Sequence, residues 1–204
     1  MIGTVYVVTD AHAPLGVLDQ IRAAAAGGAW AVQLRDKEMA APAFCDLARA
    51  AMAVLSPLGV KLFINDRVDI AVSVGADGLH IGQSDGDPAV IRDRIGADMM
   101  LGLSVETLAQ CQTIPRAGIT YIGAGPIRAT ATKPDHAAPI GMTGLRDIVA
   151  AAPCPVIAIG GIGAGDASAL KATGAVGMAV VSAVTRAPDP LAATRNLVTE
   201  WSMA

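Results

Sequence analysis

"VKLFINDR", residues 60–67, runs an apolar segment straight into an amide, a carboxylate and a guanidinium. Its first five residues read as a buried strand, since Val, Ile and Phe pack well on a pleated surface and the run is short. The three polar residues that follow can be a helix cap, an ion-pair turn or half of a metal site, and the stretch alone leaves all three open. For the fold, what matters is that this strand-like run is one of eight. "TVYVVT" (4–9), "AVQLR" (31–35), "GLHI" (78–81), "MMLGLS" (99–104), "ITYIGA" (119–124), "PVIAIG" (155–160) and "GMAVVS" (177–182) repeat the pattern, each followed by an Ala-rich segment. The segment after the second run has the clearest helical period. There Phe44, Leu47, Ala48, Ala51 and Leu55 recur at three- and four-residue spacing and form one apolar stripe. Glycines in "GGA", "GAD" and "TGA" fall where such helices would stop. Eight β/α units in 204 residues predict a single α/β domain over residues 1–204, a closed (β/α)8 barrel with short loops. A minimal doubly wound sheet shares the alternation.

Composition narrows the function. Apolar residues make up 53% of the chain, and 22 Gly and 12 Pro are spread along it rather than pooled in a linker, as one continuous core requires. Aromatics are only 3%, so the core is expected to be built from Ala, Val, Ile, Leu and Met. A net charge of −3 with no basic block argues against nucleic acid. The start "MIGTVYVVTD" lacks a positive n-region and reads as a strand, not a signal peptide. The longest uncharged stretch, residues 148–165, holds Pro153, Pro155 and four glycines and makes a poor membrane span. A soluble, cytoplasmic protein is expected. Cys45, Cys111 and Cys154 are odd in number and far apart, so neither a disulfide framework nor a zinc site is indicated. A homo-oligomer is left open, because outer helix faces rich in Ala and Met suit a core or an interface.

A barrel of this kind works at the carboxyl ends of its strands, and the unusual polar residues cluster there. Gln33, Arg35 and Lys37 alternate in "QLRDK", so an extended backbone sends all three to one face and Leu34 and Asp36 to the other. An Arg fork beside a Lys charge suits a polyphosphate, whereas an isolated RxK would be a solvated surface strand end. Asp66 and Asp85 end the third and fourth runs and would meet on one rim, where oxygen ligands without soft competitors suit Mg2+. Each also has a structural reading: Asp66 could cap the helix beginning at Arg67, and Asp85 could hold the turn "SDGDP". "GPIRATATK", residues 125–133, offers two hydroxyls and an ammonium on a loop that could close over a ligand. Gly160 and Gly161, with Ser182 after the last run, match the place where such barrels hold phosphate on backbone N–H groups. His80, inside "GLHI", reads as a satisfied core group, His12 and His136 as exposed loop residues, and no GxSxG is present for a serine hydrolase.

With these positions laid out, the chain resembles the thiamine-phosphate synthase family. The likeness runs in order through "YVVTD", "VQLRDK", "INDRVDIA", "ADGLHIGQSD", "LGLS", "YIGAGPIRATATK", "APIG", "VIAIGGI" and "VVSAV". It implies a (β/α)8 barrel that joins 4-amino-2-methyl-5-hydroxymethylpyrimidine diphosphate to a thiazole phosphate, with Mg2+ and release of diphosphate. By motif, it implies that Gln33, Leu34, Arg35, Asp36, Lys37, Asn65, Ser104 and Lys133 bind the pyrimidine diphosphate. Thr130, Ala131, Thr132, Gly161, Val181 and Ser182 would bind the thiazole phosphate. Asp66 and Asp85 would hold Mg2+, and Lys37, Ser104 and Lys133 would stand nearest the chemistry. The chain departs from the family's pattern at Thr120, where Asp often precedes the Tyr, and at Arg128, where "GPxF" has an aromatic. Arg128 could reach the thiazole phosphate or swing into solvent. An initial capping segment seen in relatives is expected to be missing. The rivals are a thiazole tautomerase, which has no use for the Asp pair and its cations, and a non-catalytic phosphate-binding barrel.

Overall fold

Each of the eight apolar runs forms a strand: β1 (Val5–Val8), β2 (Ala31–Leu34), β3 (Lys61–Asn65), β4 (Gly78–Ile81), β5 (Met100–Val105), β6 (Tyr121–Ala124), β7 (Val156–Ile159) and β8 (Gly177–Val180). The computed structural model describes residues 2–115, 117–130 and 137–204. All neighbouring strands are parallel and follow chain order, and β8 pairs back onto β1 with Tyr6 beside Ala179. That last pairing decides between the two folds compatible with the alternation, because a doubly wound sheet would leave β1 and β8 in different places with open edges.

The helices are α1 (Val17–Ala26), α2 (Ala41–Leu55), α3 (Val68–Val74), α4 (Pro88–Ile95), α5 (Leu108–Gln112), α6 (Gly141–Ala151), α7 (Ala167–Lys171), α8 (Ser182–Thr185) and α9 (Pro190–Met203). α2 buries Phe44, Ala48, Ala51 and Leu55 from the expected stripe, with Leu47 half-buried at its margin. Local chemistry marks several starts: Asp87 caps α4 by accepting from Ala89 N at 2.8 Å, and Asp189 does the same for Ala192 N on α9. Thr107 and Gln110 form a capping box on α5.

The core has two parts, and the strand period of two separates them. Val5, Val7, Leu34, Ile64 and Leu79 point outward and pack with the helices in an aliphatic layer of the expected kind. Tyr6, Ala31, Phe63, Tyr121, Ile157 and Ala179 point into the barrel, with Trp30 against them. The barrel interior therefore departs from the aliphatic expectation: the scarce aromatics are concentrated there. Tyr6 and Phe63 lie 5.2 Å apart by ring centroids, and Phe63 and Tyr121 lie 5.6 Å apart in an edge-on arrangement. Neighbouring strands make room with glycine. A Cβ on Gly78 would come within 2.2 Å of the Phe63 ring, and one on Gly102 within 2.2 Å of Tyr121. This filled base leaves the opposite, carboxyl end of the barrel as the open one.

Candidate active site

A cavity of about 330 Å³ opens at the carboxyl ends of the strands and takes residues from all eight β/α units. Gln33, Arg35, Lys37, Asn65, Asp66, Asp85, Ser104, Thr130, Gly161, Val181 and Ser182 all line it. The alternation of β2 continues past its last ladder residue, so Gln33, Arg35 and Lys37 share the inner face. Leu34 and Asp36 do not join them. The Leu34 side chain is wholly buried in the outer core, and Asp36 accepts from Glu38 N at 2.9 Å and Met39 N at 2.8 Å in its own turn. Ala131, Thr132 and Lys133 lie outside the described residues, as does His136.

The "INDR" question resolves at Asp66. Its φ is 60°, in the left-handed region that residues other than glycine seldom adopt, although Asp tolerates it better than most. Arg67, not Asp66, holds the cap position of α3, and no side chain caps that helix. Asp66 N instead donates to His80 O at 2.9 Å, which fastens the end of β3 to β4 and brings its carboxylate to that of Asp85. Burial, and then the neighbouring Asp85 carboxylate, raise the Asp66 pKa to about 6, with Lys37 and Asn65 opposing the rise. Asp85 serves its turn as well, accepting from Gly82 N at 2.6 Å. The Asp66 carboxyl holds its proton more tightly because its charged form is repelled by the neighbouring carboxylate, and a cation between the two removes that repulsion. No cluster of three or more His, Cys, Asp or Glu occurs among the described residues. The pair therefore fits a hard ion that fills its other positions with water and substrate oxygens. Arg67 serves structure: it stacks 4.4 Å above the Phe44 ring and donates to Asp36 O at 2.9 Å, which braces the loop carrying Lys37.

The floor of the cavity is a buried polar chain that the sequence only partly foreshadows. Ser104 Oγ lies 2.9 Å from His80 Nε2, and His80 Nδ1 lies 2.8 Å from the Tyr121 hydroxyl. Tyr121 donates to the Tyr6 hydroxyl at 3.2 Å, and Gln33 Nε2 donates to that same hydroxyl at 2.9 Å. Burial lowers the His80 pKa to about 4 against the opposing pull of Asp85, so the imidazole is neutral at pH 7 with a single N–H. With Tyr121 donating to Tyr6, that proton sits on Nδ1 and the Ser104 hydroxyl donates to Nε2. Ser104 and Gln33 are thereby held in fixed orientations from opposite sides of the barrel. His80 is the satisfied core histidine expected, and it also orients a cavity residue.

The end of the cavity formed by β7 and β8 is lined by Ile159, Gly160, Gly161, Ile162, Val180, Val181 and Ser182. Gly160 and Gly161 adopt φ of 94° and 67° and line the wall, and Ser182 opens α8 at the same mouth. A Cβ on Gly161 would meet Arg128 Cβ and the Arg128 carbonyl at 2.8 Å, so glycine is required by a close approach of two loops. Asp10, the last residue of "YVVTD" and given no role by the sequence, is buried at the cavity edge. It takes Arg186 Nη2 at 2.8 Å and His12 N at 2.9 Å, tying the loop after β1 to the segment after α8. Its signals in the sequence are its place at the end of "YVVTD" and an acidic residue close behind an apolar strand. Arg128 pairs with Asp166 instead of entering the cavity, and Thr120 Oγ1 accepts from Leu101 N at 3.0 Å at the opposite end of the barrel.

Fold and mouth together define the class: a (β/α)8-barrel enzyme whose working groups stand at the carboxyl ends of its strands. Residues 5–184 match the family model described as thiamine monophosphate synthase. The chain is 46% identical over 197 residues to the thiamine-phosphate synthase of Roseiflexus castenholzii, covering 96% of this chain and 86% of that one. It is 44% identical over 198 residues to that of Azorhizobium caulinodans, at 96% and 93% coverage. The solved thiamine phosphate pyrophosphorylase of Pyrococcus furiosus superposes with a TM-score of 0.89 at 32% identity, covering 98% of this chain and 96% of that one. A 3-hexulose-6-phosphate synthase, at 16% identity and a TM-score of 0.70, shares the fold. The chain belongs to the thiamine monophosphate synthase family.

Proposed function

We propose that the protein is a thiamine-phosphate synthase, coupling 4-amino-2-methyl-5-hydroxymethylpyrimidine diphosphate with a thiazole phosphate and releasing diphosphate. The observation that carries this reading is the Asp66–Asp85 pair, set in one cavity with Arg35 and Lys37 on one side and the Gly161 and Ser182 backbone on the other. A tautomerase or a simple phosphate-binding barrel has no use for that pair.

Arg35 and Lys37 would hold the diphosphate, and Gln33, Asn65 and Ser104 the pyrimidine to which it is attached. Mg2+ held by Asp66 and Asp85 would supply positive charge to the departing diphosphate. The bond between the exocyclic methylene carbon and the diphosphate oxygen breaks, and its electron pair leaves on that oxygen. The resulting pyrimidinylmethyl cation is stabilised by the ring amino group, and fixed protein cations face the leaving charge. The lone pair of the thiazole nitrogen then forms the new C–N bond, and no proton is transferred. A general base is therefore unnecessary, in keeping with a neutral His80 committed on both nitrogens. Thr130, Gly161, Val181 and Ser182 would receive the thiazole phosphate, and Ala131, Thr132 and Lys133 would complete the site by family motif. A cytoplasmic setting, where thiols stay reduced, suits three free cysteines.

The test is incubation with both substrates and Mg2+, following diphosphate release and formation of the coupled product. Absence of release would overturn the assignment, and isomerisation of the thiazole alone would select the tautomerase.

A further inference from the structure

We propose that Arg128 and Asp166 form a positioning clasp that presets the phosphate-binding wall of the cavity without either side chain touching the phosphate. This rests on the assignment of the Gly161 end of the cavity to the thiazole phosphate.

The guanidinium makes a bidentate pair, Nη2 to Asp166 Oδ1 at 2.7 Å and Nη1 to Oδ2 at 2.9 Å, and Nη1 also donates to Gly161 O at 3.2 Å. Asp166 Oδ2 accepts in addition from Gly163 N at 2.9 Å. One carboxylate thus joins the loop after β6 to the loop after β7, and the Arg reaches back to the glycine of the cavity wall. The backbone repeats the link: Ile127 N and Arg128 N both donate to Gly160 O, at 3.1 and 3.0 Å. On the far flank Glu200 of α9 accepts from Gly165 N at 2.9 Å and Ala167 N at 3.1 Å. The stretch from Gly160 to Ala167 is held from both sides, and the Arg128 pair is its side-chain tie to β6.

Two observations separate a clasp from a direct phosphate ligand. Gly160, Gly161 and Ile162 line the cavity, whereas Arg128 and Asp166 stand behind that wall. The Asp166 side chain is 14% exposed and the Arg128 side chain 51%, so the carboxylate is the embedded partner and the guanidinium lies across it from solvent. The hydrogen bond from Arg128 also holds the Asp166 pKa below the ordinary carboxylate value, keeping the pair ionised at neutral pH. A pair this exposed does little for global stability. Its effect falls on the local order of glycine-rich backbone, which must otherwise be arranged when the ligand arrives.

The experiment compares Arg128→Gln, Asp166→Asn and the double variant in the full chain. Each single variant is expected to raise KM for the thiazole phosphate about 5-fold, what an ion pair of this kind converts to. KM for the pyrimidine diphosphate and the melting temperature should stay at wild-type values, and the double variant should be no worse than either single one. Were Arg128 itself the phosphate ligand, freeing it with Asp166→Asn would lower KM or leave it unchanged, and the clasp would be overturned. Unchanged KM in both variants would overturn it equally. Amide hydrogen exchange over residues 161–166 in the unliganded protein gives a readout independent of turnover. Both variants should accelerate it several-fold, and unaltered exchange refutes the clasp whatever the wild type does with the thiazole phosphate. A wild type that fails to couple the substrates, with exchange responding as expected, would leave the clasp standing and remove only the assigned reaction.

Discussion

Asp66 shows how much one residue's environment decides. Next to a helix start, Asp is a good capping residue, and the local sequence "INDRVDI" is compatible with that role. The left-handed backbone at Asp66 and the tie to His80 O carry the carboxylate away from α3 and toward Asp85, so the side chain is committed to the cavity. The arrangement opposes stability when no cation is bound. The folded state binds the Asp66 proton more tightly than the unfolded chain, so stability of the metal-free protein should fall as pH rises from the ordinary carboxylate value of 3.8 to about 6. A full shift of that size would be roughly 3 kcal/mol, and partial exposure of the pair reduces it to about 1 kcal/mol. Asp66→Asn should therefore melt about 2–4 °C higher than wild type at pH 7.5 without metal, and show no gain at pH 4. The same variant should lose at least about 100-fold in turnover. Calorimetry at the two pH values together with an activity assay checks both signs. Parallel losses of stability and activity would return Asp66 to a capping role.

At the scale of elements, the eight strands and the stripe on α2 are legible in the sequence because periodicity is a local property. Strand ends read from composition are off by up to two residues, long at Arg35 and at Ile119 and Thr120 and short at Asn65 and Val105, because composition does not reveal where a neighbouring strand stops offering a ladder partner. The eighth unit, expected to carry one helix, has two: Pro188 and Pro190 break the chain after α8, and Asp189 caps α9 anew. The polar floor is least legible. Ser104, His80, Tyr121, Tyr6 and Gln33 come from five strands, and no local pattern announces that their side chains meet. A connection with similar logic lies outside the cavity. Arg92 on α4 donates to the carbonyls of Gly118 at 2.9 and 2.8 Å, Gly96 at 2.6 Å and Met99 at 2.7 Å, gathering the turns around β5 at the base of the barrel. Arg92→Ala leaves those acceptors to water and should cost about 2–3 kcal/mol in denaturant unfolding. Arg92→Lys should recover only part of it, because a single ammonium cannot reproduce the planar fork. Full recovery by Lys would mean that charge alone matters at this position.

For the whole molecule, the division of the core explains why the chemistry sits where it does. The aliphatic outer layer holds sheet and helices together, while the aromatic plug of Tyr6, Phe63, Tyr121 and Trp30 fills the lower barrel and leaves the carboxyl mouth open. The sequence points to the equipped mouth, since polar residues gather at one set of strand ends, and the likeness to the family supplies roles that spacing cannot. What the closed barrel adds is convergence: cations from β2, carboxylates after β3 and β4 and the glycine wall after β7 face a single volume. Such a site should bind metal and diphosphate as a unit. The protein offers the ion two carboxylates, too few to hold Mg2+ firmly in competition with its water shell. Mg2+ alone should therefore raise the melting temperature by less than about 1 °C. Mg2+ with inorganic diphosphate at 100 times the apparent Kd should stabilise the fold by about 2.7 kcal/mol, or roughly 5–10 °C for a chain of this size. Asp85→Asn should abolish the joint shift while leaving the ligand-free melting temperature within a few degrees of wild type. A differential scanning series over the four combinations of metal and diphosphate decides it. A large shift from Mg2+ alone, or a joint shift that survives Asp85→Asn, would show that the ion is not held between these two carboxylates and the diphosphate.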